Sequence, residues 1–102
     1  MRTPATDRDV FGLVKPALDA HTLGLSSVTQ LLEDCGLRVA VGDAEVGEAV
    51  GSPRDPRSID VLERWLRAKR VTRLGFSYRL DATDAADMFG RWVHNLKARR
   101  LI

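Results

Sequence analysis

The chain has 102 residues, 44% hydrophobic and 29% charged, with a formal net charge of +2 at pH 7. This is one domain near the small end of the usual range, too apolar for a disordered segment. A surplus of two charges is too small to argue for nucleic acid. Cys35 is the only cysteine, which excludes an internal disulfide and a cysteine-based zinc site. The start, Met1-Arg2-Thr3-Pro4, has no apolar leader, and no later run approaches membrane-spanning length. No membrane contact is expected, and the cytoplasm is the expected compartment.

Residues 1–9 are polar and read as frayed. The apolar stretch from Val10 to Leu18 predicts a first strand around 12–18, although Pro16 has no N–H for a central ladder position. A glycine-containing turn, Asp19-Ala20-His21-Thr22-Leu23-Gly24, follows. A helix is then predicted from Ser26 to Cys35. Ser26 or Ser27 would cap it, Leu25, Val28, Leu31 and Leu32 would share one face, and Gly36 would end it. Beside Gly36 and a Leu-Leu pair, Cys35 reads as a small hydrophobe.

Leu37–Val41 reads as a short parallel strand stopped by Gly42-Asp43, and Ala44–Val50 as one or two helical turns. Gly51-Ser52-Pro53-Arg54-Asp55-Pro56 is the clearest loop in the chain. Ser58 is expected to cap an amphipathic helix carrying Ile59, Leu62, Trp65 and Leu66. Val71–Tyr78 predicts a third strand. A last helix from Ala82 to Arg99 would have Ala85, Ala86, Phe89, Trp92, Val93 and Leu96 lining one side, with His94 exposed. The two tryptophans are expected in the core or at a partner contact. Charge is uneven: Arg54–Arg73 holds seven basic residues against three acidic, and Glu33–Glu48 five acids against one base. Both read as solvated helix faces.

Alternating strands and helices predict an α/β domain with a parallel sheet, a Rossmann-like (flavodoxin-like) arrangement of about three strands. Such sheets bind ligands beyond the C-terminal ends of their strands. The turn at 19–24 and the segment Ser77-Tyr78-Arg79-Leu80 both stand at such ends, and Arg79 is placed to meet an anion or to pair with Asp81 or Asp84. In Asp19-x-His21-x-x-Gly24, imidazole suits a transition metal, and a carboxylate two residues away can fix its tautomer. Taken alone, His21 serves equally as a helix cap or as an exposed loop residue.

These residues resemble the first motif, Asp-x-His-x-x-Gly, of the cobalamin-binding domains of methionine synthase, methylmalonyl-CoA mutase and corrinoid proteins. Ser77 and Leu80 are similar to the second, Ser-x-Leu, with Leu80 one residue late and 52 residues between Gly24 and Ser77. The third motif, a Gly-Gly pair, has no counterpart. The resemblance implies cobalamin as cofactor and His21 as lower ligand to cobalt, oriented by Asp19. Thr22, Gly24, Ser26, Ser77, Tyr78 and Leu80 would line the cofactor site. It implies a carrier that presents the corrinoid to a catalytic partner, without catalytic side chains of its own. It also implies about three strands of a five-stranded domain, with Leu101-Ile102 entering a fourth and the third strand left as an edge open to a partner, a C-terminal segment or a second copy. Two other classes stand beside it: a cofactor-free protein–protein interaction domain on the same fold, and part of a mutase-like isomerase. No Gly-x-Gly-x-x-Gly, Gly-x-Ser-x-Gly or P-loop occurs.

Overall fold

The strands are short and apolar, and each helix starts or stops at a residue whose chemistry dictates it. In the computed structural model, which describes residues 6, 8–17, 23–77 and 81–101, the order is β1 (Val10–Val14), α1 (Leu23–Asp34), β2 (Arg38–Val41), α2 (Ala44–Val50), α3 (Pro56–Ala68), β3 (Arg73–Phe76) and α4 (Ala82–Ala98). The three strands form one parallel sheet in the order β2-β1-β3. This is the α/β, Rossmann-like arrangement expected from the sequence. β1 is central, with Gly12 opposite Ala40 on one side and Leu74 on the other.

The register places Gly12, Val14, Ala40, Leu74 and Phe76 on one face of the sheet. Val14, Val46, Val50, Ile59, Leu62, Trp65, Leu66, Trp92 and Leu96 form the core there, with Ala40, Leu74 and Phe76 packed against it. α2, α3 and α4 therefore cover this face. Right-handed crossovers to β2 on one side of β1 and to β3 on the other put α1 on the opposite face, where it packs along β2. That layer is thin: Val28, Leu31 and Val41 remain exposed. Of the four apolar residues expected to share a buried face of α1, only Leu25 and Leu32 are partly covered.

Aspartates start three helices. Asp43 accepts from Val46 N at 3.0 Å, Asp55 from Arg57 N at 2.9 Å and Asp81 from Asp84 N at 2.9 Å. Each such cap contributes about 1 kcal/mol. Ser58, the expected cap of α3, lies buried inside it, because Pro56 occupies the first turn and moves the cap back to Asp55. Ser26 and Ser27 likewise lie within α1, which begins at Leu23.

Three helices end alike. Leu37 N donates to Leu32 O, Val71 N to Leu66 O and Leu101 N to Leu96 O, across Gly36, Arg70 and Arg100 at φ 79°, 56° and 58°. Leu101 thus closes α4 as Leu37 and Val71 close α1 and α3, and the strand entry expected at Leu101-Ile102 extends into Ile102, outside the described residues. β1 sits earlier than expected, at Val10–Val14, and Pro16 follows it as a buried residue outside the ladder. Nor is the whole N-terminal stretch loose: Asp9 accepts from Thr72 Oγ1 at 2.9 Å and pairs with Arg73 at 3.3 Å, tying β1 to β3. Cys35 is exposed, since it lies past the last turn of α1 on the thinly covered side. His94 is exposed and both tryptophans are buried, as expected.

Candidate functional site

The three strands end at one level, and β1 is bonded on both sides there. Gly42 N donates to Leu13 O and Ser77 N to Val14 O, each at 2.9 Å. Beyond β1 the chain crosses the start of α2, where Ala17 N donates to Gly47 O at 2.9 Å. Glycine suits this crossing: a Cβ on Gly47 would stand 3.3 Å from the Lys15 carbonyl oxygen, a tight contact. After β2, Gly42 and Asp43 turn straight into α2, with the Asp43 carboxylate committed to its cap.

A cleft of about 560 Å³ opens between α1, from Leu25 to Glu33, and the first turns of α2, over the ends of β1 and β2. Leu25, Val41 and Ala17 give it apolar walls, and Ser26, Thr29, Gln30 and Lys15 bring polar groups to it beside the carboxylates of Glu33 and Asp43. The volume lies within the range of about 300–1,000 Å³ that small-molecule sites occupy, and the position is where open parallel sheets hold ligands. Thr29 turns its hydroxyl back onto Leu25 O at 2.8 Å.

Of the residues expected from the sequence, Ser26 lines the cleft and Gly24 lies in the first turn of α1. Ser77 stands at the end of β3, on the other side of β1, and does not line it. Asp19, His21, Thr22, Tyr78 and Leu80 lie outside the described residues, as does Arg79. Ala17 and Leu25, which flank the Asp19–His21 turn in sequence, both line the cleft. Lys15 and Thr29 were not singled out from the sequence, and Gly42-Asp43 was read there as the stop of the second strand.

Carboxylates held below their usual range lie elsewhere. Asp9 is lowered by the Thr6 backbone N–H and then the Thr72 hydroxyl, Asp55 by Arg57, and Glu63 by Arg99 and then Arg67. Among the described residues no three His, Cys, Asp or Glu side chains gather as metal ligands, and no helix is long and apolar enough to cross a membrane. Fold and cleft together define a small α/β domain with a ligand-sized recess at the C-terminal end of a parallel sheet. No known protein family, curated protein or solved structure matches this chain.

Proposed function

We propose that the chain binds a corrinoid at the C-terminal end of its sheet, with His21 as the lower ligand to cobalt and Asp19 as the carboxylate that orients it. The observation that carries this is the bracketing of the Asp19-x-His21 turn by Ala17 and Leu25, two walls of the same cleft. Ser77 adds support, since its segment leaves the sheet from the strand next to β1.

The residues present fit part of such a group. A recess of about 560 Å³ is too small for a whole corrinoid but suits its nucleotide tail. Apolar walls match the planar base of the tail, and the polar groups of Ser26 and Thr29 match its sugar. Among the described residues Lys15 is the one cation lining the cleft for its phosphodiester, opposite the carboxylates Glu33 and Asp43. Thr22, Gly24, Ser77, Tyr78 and Leu80 complete the proposed site. When bound, the cobalt supplies methyl-transfer or radical chemistry. The protein binds the tail, orients the histidine and presents the cofactor to a catalytic partner, and the cytoplasm is the compartment proposed for it.

The test is a visible-absorption titration with hydroxocobalamin and methylcobalamin, run beside His21→Ala. A spectral change that saturates and depends on His21 is expected. An identical titration in the variant, or no change in either protein, would sink the proposal.

A second reading has its own observation. β3 is an edge strand, and Phe89, 52% exposed, stands edge-on to Phe76 at 5.7 Å beside it. An open edge flanked by an exposed aromatic favours pairing with a second copy, as a cofactor-free interaction domain. A mass measurement that finds only monomer over a wide concentration range overturns it.

A further inference from the structure

α3 and α4 end in nearly the same words. Leu66-Arg67-Ala68-Lys69-Arg70-Val71 and Leu96-Lys97-Ala98-Arg99-Arg100-Leu101 both close with the same backbone bond, Val71 N to Leu66 O and Leu101 N to Leu96 O. In each, the residue past the helix end is an arginine in the left-handed region, Arg70 at φ 56° and Arg100 at φ 58°. Glycine is the ordinary occupant of that position, as Gly36 is after α1. The helix dipole does not account for the choice, because its effect fades beyond the last turn, where Arg67 and Lys97 already stand.

The two ends are held side by side at the N-terminal end of the sheet, opposite the cleft. Glu63 of α3 accepts from Arg67 and from Arg99 of α4, each at 3.0 Å, and Asp60 takes Arg99 at 2.6 Å. Those two arginines are thereby engaged. Lys69, Arg70, Lys97 and Arg100 are exposed and make no ion pair among the described residues. Next to them lies a crevice of about 300 Å³ with Leu66, Val71, Leu74 and Leu101 in its walls and Arg67 and Arg70 beside them.

We infer that this end of the molecule docks an acidic protein segment, with one apolar side chain seated in the crevice and flanking carboxylates on Arg70 and Arg100. A recess with apolar walls, with unpaired Arg70 in its lining and unpaired Arg100 next in sequence to the lining residue Leu101, is complementary to that pattern in charge and in polarity. A nucleic acid strand fits less well, because no aromatic ring lines the crevice for a base to stack on.

The test uses the full chain and a fluorescent peptide, Asp-Glu-Leu-Glu-Asp, with three controls: its Asn/Gln counterpart, a version with Ser for Leu, and a short single-stranded DNA. The variant is Arg70→Asn with Arg100→Asn, because asparagine accepts the left-handed conformation and keeps both helix ends intact. Unchanged thermal unfolding checks that it does. Anisotropy is expected to show binding of the acidic peptide that weakens on the order of tenfold from low to physiological salt. The double variant and both altered peptides are expected to lose about tenfold each. No binding of the acidic peptide, equal binding by the variant or the neutral peptide, or tighter binding of the DNA would each overturn the inference.

Discussion

Trp92 is fully buried, yet its indole N–H is not wasted: Nε1 donates to Val50 O at 2.8 Å and ties α4 to the end of α2. Trp92→Phe keeps most of the apolar volume but leaves a buried carbonyl without its donor, so a loss of about 1–3 kcal/mol is expected. Urea unfolding of the two proteins measures it, and a difference near zero would mean that water replaces the indole. Glu63 acts on the surface. Its two arginines hold its pKa below the usual carboxylate range, so the charged form is favoured in the folded state. The stability it contributes is present above its unfolded pKa and is lost as pH falls through the lower, folded value. Because the group is exposed the effect is small, and Glu63→Gln is expected to flatten the acid side of a plot of unfolding temperature against pH. A steeper acid side in the variant would contradict this pairing.

Among elements, α1 and α3 are opposites. α3 buries Ile59, Leu62, Trp65 and Leu66, whereas α1 packs along β2 and leaves Leu31 63% exposed. Leu62→Ala is expected to cost about 2–5 kcal/mol through the cavity it leaves, and Leu31→Lys within about 0.5 kcal/mol of nothing. Amide hydrogen exchange in α1 is expected to be faster than in α3. Equal protection of the two helices would mean that the sheet face under α1 is covered better than its packing indicates.

The same contrast explains what was legible beforehand. α2, the end of α1 at Gly36 and the apolar stripe of α3 were readable because their signals are local. Val28, Leu31 and Phe89 lie on the expected apolar faces yet are exposed, because periodicity marks an apolar face and does not say whether anything lies over it. β1 was placed too late because the apolar run continues past the strand, while the ladder stops before Pro16 and the chain then crosses Gly47. Lys15 and Thr29 carry no motif, and only the folding of α1 and α2 around the strand ends brings them to one recess.

For the molecule as a whole, the parallel sheet separates two ends. Its C-terminal end holds the cleft, and its N-terminal end gathers the basic termini of α3 and α4. The basic residues read from the sequence as a solvated face are exposed, apart from the partly buried Arg73, and at one pole those at the end of α3 are joined by the exposed cations at the end of α4. Edges remain at β2 and β3, since β1 occupies the middle. The central claim concerns the other pole, where a histidine of this chain is proposed to replace the cofactor's own base. Electron paramagnetic resonance of cob(II)alamin bound to protein carrying ¹⁵N-histidine tests that most directly. A cobalt line split into doublets by a single ¹⁵N nucleus is predicted. Triplets from the ¹⁴N of the cofactor's benzimidazole, or no nitrogen splitting, would contradict it.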